Sequence, residues 1–110
     1  MSAAACANGY ERALIAQFFA ASRLRDGTAL QTVSTVMFDP STDGTVLQFD
    51  LNRISPENSY QKRATISARV RRPDGDTVQE NLIVTMRRTD PAVDTAATSR
   101  WIITGVARTR

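Results

Sequence analysis

Few side chains in this chain of 110 residues have chemistry to offer. Histidine is absent, which removes the usual general base, the usual metal ligand and any Ser/His or Cys/His pair. Cys6 is the single cysteine, so neither an internal disulfide nor a thiolate zinc cluster can form. Lys62 is the single lysine among fourteen basic residues, leaving thirteen arginines against eleven carboxylates and a net charge of +3. No catalytic residue, metal site or cofactor is assigned. Two positions remain, Cys6 and Glu80.

Cys6 follows Ala3, Ala4 and Ala5. Small residues before a cysteine look like the end of a bacterial lipobox, in which the thiol takes a lipid. The plain alternative is a disordered tail with an incidental thiol. A signal peptide needs an apolar core, which would have to precede Met1. An alanine-rich tail supplies no basic surroundings to lower the thiol pKa, so Cys6 is expected to act as an anchor and not as a nucleophile.

Glu80 stands out because of the strands around it. Ala64, Ile66, Ala68 and Val70 alternate with Arg63, Thr65, Ser67, Arg69 and Arg71; Val78, Leu82, Val84 and Met86 alternate with Gln79, Asn81, Thr85 and Arg87. Period two is the strand signature. Between them, Arg72-Pro73-Asp74-Gly75-Asp76 places proline where a type I turn wants φ near −65° and glycine where the chain must go left-handed. The turn closes the hairpin at Arg72 and Asp76, so Val70 faces Val78, Ile66 faces Leu82 and Ala64 faces Val84. Glu80 then lies opposite Ala68 on the inner face. A carboxylate there must be paired, hydrated or protonated. Either it reaches water or an arginine such as Arg23 or Arg25, or it is the polar group of a ligand pocket between helix and sheet, shared with Phe18 and Trp101.

The remaining elements position these residues. Asn8 with Glu11 offers a capping box for a helix from about Gly9 to Arg25. Leu14, Phe18, Ala21 and Ile15, Phe19, Ser22 give it a wide buried face. Asp26-Gly27 reads as its left-handed stop, and Thr28 with Gln31 as the cap of a short second helix. Residues 34–38 fit helix or strand. A strand from Thr45 to Ile54 puts Leu47, Phe49 and Leu51 inward, Ser55 to Ser59 turns the chain, and Thr89 to Ser99 reads as a loop. The last strand runs from Arg100 to Ala107, with Trp101 and Ile103 on one face and Ile102 and Val106 on the other.

The fold class expected is α+β: an N-terminal helix and a short second helix packed on a curved antiparallel sheet of about four strands. Residues 1–8 form a tail and 9–110 a single domain. Ala13-Leu14-Ile15-Ala16-Gln17-Phe18-Phe19-Ala20-Ala21, Gly44-Thr45-Val46-Leu47-Gln48-Phe49 and Arg100-Trp101-Ile102-Ile103-Thr104-Gly105-Val106, in that order, resemble the cone-shaped nuclear transport factor two-like fold, related in outline to cystatin, as found in small bacterial envelope lipoproteins. Enzymes of that fold often use a His and Asp pair, and this chain has no histidine. The resemblance therefore implies a cone-like domain acting in binding or assembly at the cell envelope, periplasmic or tethered through Cys6, with a cytoplasmic protein as the alternative; a ligand-binding pocket or enzyme built on Glu80 is the competing reading. It also implies a homodimer formed sheet to sheet, with Ile83 and Ile102 or Val106 near its centre, and an envelope protein as a further partner. Nucleic acid is not expected as a partner. Arg63, Arg69, Arg71, Arg87 and Arg88 are read onto the outer sheet face, but the two long strands carry no aromatic residue there to stack on bases.

Overall fold

The computed structural model describes residues 9–89 and 101–109. Two helices, α1 (Gly9–Leu24) and α2 (Gly27–Val33), precede four strands, β1 (Thr45–Asn58), β2 (Gln61–Arg71), β3 (Thr77–Arg88) and β4 (Trp101–Arg108). The strands form an antiparallel sheet in the order β1-β2-β3-β4. The sheet is curved and open, and both helices lie on one face, which is the α+β architecture read from the sequence. Cys6, the expected N-cap Asn8 and all but the first residue of the loop expected from Thr89 to Ser99 lie outside the described residues.

The β2–β3 hairpin has the register that its turn dictates. Val70 pairs with Val78, Ala68 with Glu80, Ile66 with Leu82 and Ala64 with Val84. The Gly75 N–H donates to Arg72 O at 2.9 Å and the Arg72 N–H to Asp76 O at 2.7 Å. Gly75 adopts φ +99°, the left-handed position such a turn requires. Ala64, Ile66, Ala68, Val70, Leu82, Val84 and Met86 are fully buried beneath the helices together with Ile15 and Phe18. Phe19 joins this core to its rim: its ring lies 5.5 Å from Phe38, edge to face, and 5.8 Å from Phe49.

The helix junction differs from the sequence reading. α1 ends at Leu24, and Arg25, not Gly27, takes the left-handed turn, at φ 52°. The Asp26 N–H reaches Ala21 O at 3.0 Å and the Arg25 N–H reaches Ser22 O at 3.1 Å, closing the C-terminus with the 6→1 and 5→2 bonds of a Schellman motif. Asp26 is then free to cap α2, its carboxylate accepting the Ala29 N–H at 3.1 Å. Gly27 is simply the first residue of α2. Of residues 34–38, only Ser34 makes a β-bridge, a parallel one to Ile103, and the Thr35 N–H donates to Ile103 O at 2.9 Å. The Ser22 hydroxyl, buried on α1, accepts the Phe38 N–H at 3.1 Å and fixes this segment against the core.

The outer strands are irregular where the central hairpin is regular. β1 continues past Ile54, through the expected turn, to Asn58. Pro56 is tolerated because β1 is an edge strand, where a missing N–H breaks no ladder bond. The pairing shifts between Val46 and Gln48, between Leu51 and Arg53, and between Pro56 and Asn58, so Leu47, Asn52 and Glu57 are extra residues five apart. Each bulge bends and twists the strand. Val46, not Leu47, therefore enters the core, and Leu47 is 39% exposed. A further shift at Thr104 separates Ile103, opposite Met86, from Gly105, opposite Thr85. It turns Val106 inward, opposite Val84, so Ile102 and Val106 are on different faces, against the sequence expectation.

Candidate functional site

Glu80 lies on the inner face opposite Ala68, and only 9% of its side chain is exposed. Neither Arg23 nor Arg25 is its partner. Oε1 accepts the Arg108 Nε–H, while Oε2 is buried without a hydrogen bond. The bulge at Thr104 makes this contact, because it carries Arg108 to the inner side, opposite Leu82. Arg108 also donates to Asp43 O at 2.8 Å, and its guanidinium lies 5.7 Å from the Phe38 ring centre. The Asp39–Gly44 turn holds Asp43 there: Asp39 O accepts the N–H groups of Thr42, Asp43 and Gly44. The Ser41 N–H, then the Ser41 hydroxyl, bond the Asp39 carboxylate and hold its pKa below the ordinary carboxylate value, and Arg25 adds to the effect.

This pairing has a measurable consequence. Arg108→Ala leaves the Glu80 carboxylate buried with neither oxygen bonded; the guanidinium is half-exposed, so about 2 kcal/mol of stability should be lost, less than for a fully buried pair. Glu80→Gln keeps an acceptor for Arg108 and should cost about 1 kcal/mol. Urea unfolding of both variants checks the order. Equal losses, or no loss for Arg108→Ala, would remove the structural role.

At the other end of the sheet is a second polar cluster. The Lys62 Nζ donates to Glu11 Oε2 at 2.7 Å, with 12% of each side chain exposed. The same ammonium sits 4.0 Å from the centre of the Trp101 ring, a cation–π distance. The Trp101 backbone N–H donates to Tyr10 Oη at 3.1 Å. Helix α1, β2 and β4 thus meet through Glu11, Lys62 and Trp101. Glu11 Oε1 and Arg88 Nε are buried without hydrogen-bond partners. Arg88, opposite Trp101, is therefore on the inner side of the sheet, not on the outer face with the other arginines.

Phe18, Glu80 and Trp101 are not brought together. Phe18 has no exposed surface and fills the centre of the core. Trp101 pairs with Arg88, eight residues along β3 from Glu80, or about 26 Å at ~3.3 Å per residue. The signal for the cluster around Lys62 was present in the sequence: Lys62 shares the phase of Ala64, Ile66, Ala68 and Val70, and Arg88 that of Leu82, Val84 and Met86.

The outer sheet face carries no helix. Its centre is formed by Thr65 opposite Ile83 and Ser67 opposite Asn81, with Thr85 next along β3 and Ile102 further out, opposite Arg87. Hydrogen bonds run across it from Asn52 Nδ2 to Ser67 Oγ at 2.7 Å and from Ser67 Oγ to Asn81 Oδ1 at 3.3 Å. Charged residues surround this centre: Arg63, Arg69, Arg71 and Arg87, with Asp50 opposite Ser67 and Arg53 opposite Thr65 on β1, and Arg63 is paired with Glu57. No helix among the described residues is long and apolar enough to cross a membrane. No protein-family model, curated protein or solved structure matches the chain.

Proposed function

We propose that this domain is a non-catalytic binding or assembly module of the bacterial cell envelope, built on the cone-like plan of the nuclear transport factor two-like fold and working as a homodimer closed through its bare sheet face. The observation that carries this reading is the division of the sheet. One face is sealed by α1 and α2, while the other leaves Thr65, Ile83 and Thr85 half-buried and uncharged, with Ile102 half-buried opposite Arg87 and a charged surround of arginines and Asp50. A two-fold contact uses the same patch twice and needs no second kind of surface. The inward carboxylates Glu11 and Glu80 are each occupied by a basic residue of the domain itself, Lys62 and Arg108. Ile83 and Ile102 mark the centre of the contact, and Val106, turned inward, is not part of it.

The test is the mass in solution. Light scattering at about 100 μM, generous for a micromolar complex, should give twice the 12.1 kDa of the chain, and Ile83→Arg should return it to the monomer value. A monomeric wild type, or a dimer indifferent to both Ile83→Arg and Ile102→Arg, overturns the sheet-face reading. The envelope assignment rests on Ala3-Ala4-Ala5-Cys6 and is tested separately. Mass spectrometry of the natively expressed protein should find a lipid on Cys6; a cytoplasmic, unlipidated N-terminus extending through Met1 would remove it.

A further inference from the structure

Between α1 and the edge strand β1 runs a groove of about 390 Å³. Its helix wall is Ala16 and Ala20, whose small side chains keep it open, and its floor is Phe19 with Phe49. Leu47, the residue displaced by the first β1 bulge, borders it with 39% of its surface exposed. Arg12 and Arg23 stand on the same wall, and neither has an ion-pair partner among the described residues. They are eleven positions apart on α1, about 16 Å at ~1.5 Å per residue. The groove thus has an apolar middle with Gln48 on its β1 side and is cationic toward both ends, on a chain with a net charge of +3.

We infer that this groove docks an acidic peptide segment of a partner protein, with one apolar side chain seated over Phe19 and Phe49 and carboxylates on Arg12 and Arg23. Charge decides the occupant. A second copy joined two-fold through this patch would set arginines against arginines, whereas a segment with opposite charge satisfies both guanidinium groups with the bidentate bonds that suit carboxylates. At about 3.3 Å per residue an extended segment spans the two arginines with carboxylates roughly five residues apart. The docking is side-chain mediated, because the bulges of β1 disfavour adding a regular strand to its edge. This surface is separate from the bare sheet face and does not depend on the dimer.

The test is fluorescence anisotropy on the full chain. The probe is a fluorescein-labelled hexapeptide with glutamate at both ends and leucine at its third position; the control has lysine in place of both glutamates. The acidic peptide should bind at least tenfold more tightly than the control, and the preference should shrink as salt rises. Arg12→Glu with Arg23→Glu should abolish it, and Ala16→Trp should abolish it by filling the groove without changing charge. Both changes are at exposed helix positions, and their thermal melts should match the wild type. Equal binding of the two peptides, acidic-peptide binding that survives both variants, or binding to phosphatidylglycerol vesicles in place of the peptide overturns the proposal. Light scattering on the same samples should show an unchanged mass, which separates failure here from failure of the sheet-face dimer.

Discussion

Lys62→Ala should lower the free energy of unfolding by about 4 kcal/mol, the loss typical of removing one partner from a buried pair. Glu11 keeps only 12% of its side chain exposed, and one of its oxygens already lacks a hydrogen bond. Losing the ammonium leaves the whole carboxylate unpaired and also removes the cation from the Trp101 ring. One effect works the other way: Glu11 is in the first turn of α1, where the helix dipole favours a negative charge by under about 1 kcal/mol. The desolvation cost is larger and wins. Lys62→Met combined with Glu11→Leu should recover most of the loss, because replacing both charges leaves nothing buried and unpaired. Urea midpoints at constant m-value measure both variants. A loss below about 1 kcal/mol for Lys62→Ala would mean the pair behaves like one on the surface, and α1 would need another anchor to the sheet.

Gly44→Ala should cost about 3 kcal/mol, against about 1 for Gly75→Ala, although both glycines have positive φ. At Gly44, φ is +106°, and an added Cβ would sit 2.6 Å from Arg71 O and 2.9 Å from Val70 Cγ1. The oxygen belongs to the backbone of β2 and cannot rotate aside, so the start of β1 must move. At Gly75, φ is +99° but a Cβ meets nothing within 4 Å. Conformational strain is common to both sites, and the difference between the two variants isolates the steric contact. Displacing Gly44 also moves Asp43, whose carbonyl holds Arg108 for Glu80, so the loss should be less than additive when combined with Arg108→Ala. Equal losses at the two glycines would show that φ alone sets the cost.

How far the sequence reveals this fold depends on where turn chemistry fixes the register. Pro73 and Gly75 set the β2–β3 pairing, and with it the burial of Ala64, Ile66, Leu82 and Val84 and the inward position of Glu80, residue by residue. Bulges carry no such mark. Val46 and Leu47 are both apolar, so the pattern does not mark the first bulge: alternation carried back from Phe49 and Leu51, which do face the core, places Leu47 inward where the structure has Val46. Thr104 likewise gives no sign that it is extra, yet it decides whether Arg108 points toward Glu80 or away. The pairing partner of Glu80 was therefore hidden in a local backbone irregularity 24 residues further along the chain. The cluster at Lys62 was hidden differently. Its charged residues share the phase of the buried face, and Glu11 has a sufficient local explanation as a capping residue, which masks its long-range partner.

The bulged first strand bears on how the chain behaves when crowded. A sheet with regular outer edges invites other chains to extend it into fibrils or disordered aggregates. β1 interrupts its ladder at Leu47, Asn52 and Glu57 and adds Pro56, which has no N–H to give. At the opposite edge, Ser34 and Thr35 lie against β4 at Ile103. Neither border offers a long regular template, so concentrated solutions should resist cross-β polymerisation even though the sheet leaves one broad face uncovered.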